Sequence, residues 1–370
     1  MNKRCLQNFC AAMMIVSILI RAAVAAGLDI RSGKALADTA ASAELAQWAL
    51  YLETGRRADW PEEAARTVRV WPVVVEEAVP AAAAEIPDEP SDPAAERPGA
   101  VPAAEEAPAA APETAFGFTD AEADAIKIAG ACSYTVDKRA LLQQPSTLDL
   151  SQDGPKVLIV HTHSCEAYTP TAAWDYEASD TLRTRDKDRS VVRVGSEIAA
   201  VLEEAGIETI HDTALNDDPA YSGAYARMLT TIEGYLEQYP SIQMVLDVHR
   251  DAAEDARGMQ LAYTADIAGE PCAQVMLVVG TDEGGLEHPG WRENLANALK
   301  LQALLNRDYP GLCRPVDLRT ERFNAHTSPG ALLAEFGAAG NTLPEAIRSG
   351  RYFAAGVVRF IRGLEAQASS

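Results

Sequence analysis

Several things are scarce in this chain, and each scarcity excludes a class of protein. Basic residues are few: 32 Lys and Arg stand against 54 Asp and Glu, a net charge of −22 over 370 residues. So acidic a chain is repelled by a phosphate backbone, which argues against nucleic acid as a partner. Cysteine is sparse, at Cys5, Cys10, Cys132, Cys165, Cys272 and Cys313. None forms a CxxC, and the last four are widely separated. That leaves room for one or two bridges but excludes a dense disulfide framework, which a core of this length does not need. No small-residue motif precedes Cys5 or Cys10, so a lipoprotein anchor is not expected. The apolar run from Phe9 to Ile20 falls short of the ~20 residues that span a bilayer comfortably. No internal repeat is visible.

What is present divides the chain into four stretches. Lys3 and Arg4 precede the short apolar run, Arg21 ends it, and Ala23-Val24-Ala25 offers small residues at cleavage-site spacing. Residues 1–26 therefore read as a signal peptide or a membrane anchor. If retained, Arg21 must snorkel to the interface. Either reading places the remainder outside the cytoplasm, tethered to the membrane or secreted to the wall. Residues 27–75 are poorly defined, with a helical spacing only at Leu45, Trp48, Ala49 and Leu52. Residues 76–115 form a linker of Ala, Pro and Glu. From Glu76 to Glu113 it holds ten acids against one base, Arg97, and has eight prolines from Pro80 to Pro112. Such a stretch buries too little to order itself and acts as a semi-extended tether.

Residues 117–368 carry the pattern of one α/β domain, a single mainly parallel or mixed sheet with flanking helices. Strands are expected at Val157–Val160, Ile207–Ile210, Ile242–Val248, Val275–Val279 and Ala331–Phe336. Helices are expected at Asp120–Ala131, from Ser190 to Gly206, at Tyr225–Tyr239, at Arg292–Leu305 and from Pro344 to about Leu364. The polar segment Trp174–Arg189 has no period and reads as a loop over the site.

The chain is organised around Val157-Leu158-Ile159-Val160-His161-Thr162-His163-Ser164-Cys165-Glu166. Four aliphatics suit a strand buried on both faces. Polar groups after such a strand sit at its carboxyl end, where open α/β sheets bind ligands. A second expected strand ends in Asp247-Val248-His249-Arg250-Asp251, and a third carries Glu335 between Ala334 and Phe336. Imidazole and carboxylate are zinc ligands, and a catalytic site takes three from the protein. His163, Glu166 and His249 are the expected set, with His161 as the alternative first ligand. Glu335 is the expected general base and acid, its pKa raised by apolar flanks. Arg250 and Asn324 are expected to bind substrate, and His326, in the stretch Arg322–His326, to line the cleft. Two other readings stay open: a cysteine hydrolase using Cys165, and a wall-binding module without catalysis.

The run Gly154–Tyr168 resembles the opening motif of the stage II sporulation protein P family. Val192-Arg193-Val194-Gly195, Asp247-Val248-His249-Arg250-Asp251, His288-Pro289 with Trp291, Asn294 and Leu295, and Gly337 with Asn341-Thr342 are similar to it too. Cys165 departs from it, where a small or polar residue is usual, as does Ala325-His326, where an amide such as glutamine is usual. The resemblance covers roughly residues 117–365. It implies a zinc N-acetylmuramoyl-L-alanine amidase fold and cleavage of the amide between muramic acid and L-alanine, with peptide crosslinks as a further target. It also implies membrane tethering, a role in engulfment during sporulation, and partnership with a lytic transglycosylase, stage II sporulation protein D.

Overall fold

The computed structural model describes residues 117–369 apart from 180, 256 and 257. The expected signal or anchor, the 27–75 region and the Ala/Pro/Glu linker lie outside the described residues.

In chain order the elements are α1 (Asp120–Ala125), β1 (Ile128–Ala129), α2 (Lys138–Gln143), β2 (Val157–Val160), α3 (Val191–Glu204), β3 (Thr209–His211), α4 (Ala224–Gln238) and β4 (Met244–Asp251). They continue as β5 (Thr264–Ile267), β6 (Glu270–Ala273), β7 (Val275–Gly280), α5 (Trp291–Asp308), β8 (Val316–Arg319), β9 (Gly330–Ala338) and α6 (Leu343–Ala368). Seven strands form one sheet in the order β1-β8-β7-β9-β4-β2-β3, and β5-β6 is a separate antiparallel pair. The arrangement is the α/β sheet with flanking helices that the sequence pattern predicts.

All five expected strands and all five expected helices are present, with shifted ends. The first helix stops at Ala125, six residues before the expected Ala131. The sheet is mixed. Strands β3, β2, β4 and β9 run parallel. Strand β7 pairs antiparallel with β9, and β8 and β1 follow β7. Strands β1, β5, β6 and β8 carry too few residues or too much polar character to stand out in the sequence.

The ends of α3 obey local rules. The Ser190 side chain accepts from Val192 N–H at its start, and Gly206, with φ of 76°, supplies the left-handed turn past its end. Helix α6 opens on a capping box between Thr342 and Glu345.

Period-two alternation divides the strand residues between two faces. Met244, Leu246 and Val248 of β4, with Leu332, Ala334 and Phe336 of β9, pack into the main core under α3, α5 and α6. Leu158, Val160, Val245 and Ala331 turn to the other face, where Met228 and Ile232 of α4 cover them. Asp247, His249 and Glu335 therefore share the α4 face. That placement puts three polar groups in one layer without disturbing the main core. Cys132, Cys165, Cys272 and Cys313 are all free thiols. Among the described residues no helix is long and apolar enough to cross a membrane.

Candidate active site

The carboxyl ends of β2, β4 and β9 lie side by side, because these strands are adjacent and parallel. All four residues of β2 are buried, and the chain leaves it in a turn that carries His161, His163 and Glu166.

His163 and His249 meet edge to face, with ring centroids 5.5 Å apart. His249 lies between two carboxylates: Nδ1 is 3.2 Å from Glu166 Oε2 and Nε2 is 2.9 Å from Asp247 Oδ1. The second contact is short but misaligned, so Nε2 has no hydrogen bond among the described residues. Burial alone would lower the His249 pKa, but Asp247 and Glu166 hold it well above the ordinary histidine value. Against the same burial, the His249 charge holds both carboxylates below theirs. Asp247 is fixed in turn by Thr162, whose N–H and hydroxyl donate to it at 2.8 and 2.6 Å.

Behind His163 stands Asp217, with Oδ2 3.5 Å from Nδ1. Asp217 also accepts from the Ser164 hydroxyl and the Cys165 N–H, each at 3.0 Å, and pairs with Arg183. A carboxylate behind an imidazole sets ring orientation and basicity at metal sites. The exposed ring of Tyr221 stacks on His163 at 4.2 Å. Tyr225 stands edge-on to His163 and parallel to His249.

Glu335 lies directly opposite His249 in the β4–β9 register. Its Oε2 is buried without a hydrogen-bond partner among the described residues. Burial pushes the Glu335 carboxyl up to about 8, with the charges of Glu166 and Asp251 adding to the rise and that of His249 opposing it. A buried carboxylate oxygen left without a hydrogen bond is costly to fold around. Arg319 is paired with Asp317 and Glu321.

The remaining candidates are placed as follows. His161 is fully buried. Its Nδ1 is 3.0 Å from Val248 O and its Nε2 2.8 Å from His211 Nε2, so both ring nitrogens are engaged. Burial pushes its pKa down to about 3. The guanidinium of Arg250 is turned onto the loop: Nε donates to Ala167 O, and Nη2 to Thr181 O and Leu182 O. Its backbone N–H donates to Glu166 Oε2 at 3.2 Å. Asn324 donates through Nδ2 to Tyr225 O. Burial pushes the Cys165 thiol up to about 12, and its hydrogen bond to Asp217 acts in the same direction. That is the opposite of what a nucleophilic thiolate needs.

Sequence reasoning missed Asp217, Tyr221 and Tyr225. Asp217 falls in an aperiodic loop, Asn216-Asp217-Asp218-Pro219, and a lone loop aspartate gives no signal. Tyr225 reads as one more apolar position of a helix. Asp247 was visible within a motif but had no role until its side chain was placed.

Among the described residues no set of three or more His, Cys, Asp or Glu side chains stands in metal-holding geometry. The donor chemistry nonetheless suits zinc. Two imidazoles and a carboxylate meet in a buried layer, and Asp217 and Asp247 stand behind His163 Nδ1 and His249 Nε2, so the opposite nitrogens, His163 Nε2 and His249 Nδ1, are the ones left to face a metal.

Three solved structures similar to the chain are N-acetylmuramoyl-L-alanine amidases. AmiC2 of Nostoc punctiforme is 13% identical, covers 59% of this chain and 100% of its own, and has a TM-score of 0.34. Ami1 from Mycobacterium smegmatis is also 13% identical, with coverages of 58% and 98% and a TM-score of 0.33. The CwlD amidase from Clostridioides difficile, solved in complex with the GerS lipoprotein, is 13% identical, with coverages of 57% and 99% and a TM-score of 0.34. A comparison with curated proteins finds no match. The sequence pattern of the stage II sporulation protein P family matches residues 89–358, a span that holds every strand of the seven-stranded sheet, and the chain belongs to that family.

Proposed function

We propose that this chain is a zinc-dependent peptidoglycan hydrolase that cleaves the amide between the lactyl group of muramic acid and L-alanine, outside the cytoplasm and during sporulation. The observation that carries this reading is the pairing of a His–His–Glu donor set with an unpartnered carboxylate, Glu335, directly across from His249. Binding alone does not require such a carboxylate. A buried, high-pKa thiol at Cys165 likewise disfavours the cysteine hydrolase.

His163, Glu166 and His249 would hold the zinc. His163 is preferred to His161, whose nitrogens are both occupied in the core. When bound, the ion polarises the scissile carbonyl and lowers the pKa of water. Glu335 accepts the proton that water sheds as its oxygen adds to the carbonyl carbon. It returns that proton to the amide nitrogen as the C–N bond breaks, leaving a lactyl carboxylate and an alanine amine. Arg250 orients rather than touches: it ties the 167–182 loop down beside Glu166. Asn324 sets Tyr225 at the rim of the site.

The N-terminal segment would tether the domain to the membrane through the proline-rich linker. The partner we propose is the lytic transglycosylase stage II sporulation protein D, since glycan strand cleavage and stem removal act on the same polymer. Analysis of the products released from purified peptidoglycan, with and without a chelator, tests the reading.

A further inference from the structure

Among the described residues the exposed large hydrophobic side chains are Tyr221, Met259 and Leu286. Tyr221 stands against a candidate ligand. Its ring lies 4.2 Å from that of His163 and within 4° of parallel, yet the residue is 56% exposed. This stacking covers a face of the imidazole and leaves its edge, with Nε2, free to meet a metal. The guanidinium of Arg183 stands 5.0 Å over the phenol ring. It also pairs with Asp217, which is 3.5 Å from His163 Nδ1. Arg183 therefore reaches Tyr221 from the His163 side, and the outward face of the ring is open.

The loop that carries Tyr221 is tied down on both sides. Arg227 of α4 gathers its carbonyls: Nε donates to Asn216 O and Nη1 to Ser222 O, each at 3.0 Å, and Nη2 donates to Asn216 O and Ala220 O. Asn216 Nδ2 in turn donates to Thr162 O at 2.8 Å, on the turn that carries His163. From the Trp174–Arg189 loop, Arg183 pairs with Asp217 and Arg185 with Asp218. A large ring held in place before it is used loses little freedom on binding. The charges that flank it are paired with one another, so the open face offers apolar contact and no free charge. That suits the C–H face of an uncharged pyranose. It suits a charged peptide poorly, because the peptide would lose water there and gain no partner.

Resting on the amidase reading above, we infer that Tyr221 is the platform for the glycan side of the substrate, with the muramic ring stacked on its outward face. In the substrate the lactyl group is held in amide linkage, so the muramic residue carries no charge. Its ring is joined to the scissile carbonyl through only an ether oxygen and one carbon. A carbonyl held at the Nε2 edge of His163 therefore brings the sugar beside the ring that stacks on His163. Tyr221 is then a specificity residue, distinct from the groups that hold zinc or move protons.

The test uses the full chain, loaded with zinc, on two soluble substrates with the same scissile amide. One is a disaccharide muropeptide and the other a lactyl peptide that lacks the sugar. The wild type is expected to favour the muropeptide by ~3–10-fold in kcat/KM, the range of an aromatic stacking contact. Tyr221→Ala is expected to remove that advantage through a higher KM on the muropeptide. Tyr221→Phe is expected to keep it, since the ring and not the hydroxyl makes the contact. Calorimetry on metal-free protein reads binding apart from cleavage: a peptide-free glycan tetrasaccharide is expected to bind the wild type and Tyr221→Phe ~3–10-fold more tightly than Tyr221→Ala. Equal cleavage of both substrates by the wild type overturns the inference and leaves the amidase reading standing. So does equal slowing on both in Tyr221→Ala, which would make Tyr221 a support for His163, and so does glycan binding that Tyr221→Ala does not change. A wild type that cleaves neither substrate overturns both.

Discussion

His249 and Glu335 face one another across the β4–β9 pair, at the carboxyl ends of two parallel strands. One is held between two carboxylates, and the other has an oxygen with no partner among the described residues. The pair divides the proposed chemistry between a ligand and a base. It also yields a direct substitution test. Glu335→Gln removes the titrating group at nearly constant volume. The variant should fold, should retain zinc, and should lose ~10²–10⁴-fold in rate. Loss of zinc along with activity would make Glu335 a ligand, and full activity would make it structural.

Cys165→Ser separates metal from thiol chemistry. The thiol is buried and held in its neutral form, so the variant should keep most of the activity while a chelator removes it. A zinc-loaded but inactive Cys165→Ser protein would assign the nucleophile to Cys165.

Gly195 explains why the Val192–Gly195 motif ends in glycine. A Cβ there would stand 2.6 Å from His161 Nε2 and 2.7 Å from His211 Nε2. Those two rings hydrogen-bond each other in the core and have little room to yield. Gly195→Ala should destabilise the domain by about 1–3 kcal/mol, read as a lower denaturation midpoint. An unchanged midpoint would show the histidine pair to be loosely packed.

Lys300 is buried in α5, and its Nζ donates to Leu141 O at 3.0 Å. Burial lowers its pKa from 10.5 to about 8. Between those values the unfolded chain keeps a proton that the folded chain has released. Raising the pH through this window therefore favours the folded state. Unfolding midpoints should gain from this residue between about pH 8 and 10.5, and Lys300→Met should abolish the gain. The same pH dependence in the variant would contradict the burial argument.

Much of the fold was legible because its signals are local. The apolar run Val157–Val160, the Ser190 cap and Gly206 each fix an element through neighbouring residues alone. The direction of β7 was not legible. An apolar strand reads the same whether it pairs parallel or antiparallel, and its partner β8 has only two apolar positions, Val316 and Leu318. Candidate residues stood out where chemistry interrupts apolar surroundings, as at His163, His249 and Glu335, which the fold brings together. Motif membership alone does not tell a structural role from a chemical one. Asn294 donates to Ala325 O, Ser328 O and Ala331 O, and Asn341 ties β9 to Tyr263. Both anchor backbone. Arg250 likewise looked like a substrate contact in a motif, and its guanidinium faces loop carbonyls that only the folded chain brings there.

The most direct test of the account is a product analysis. Purified full-length protein is incubated with peptidoglycan, with zinc and with a chelator, and the released fragments are weighed by mass spectrometry. The account predicts free peptides with an N-terminal L-alanine and glycan with intact lactyl carboxylates, formed only when zinc is present. Fragments cut within the glycan or nowhere at all, or the same cleavage in the chelator, would contradict it.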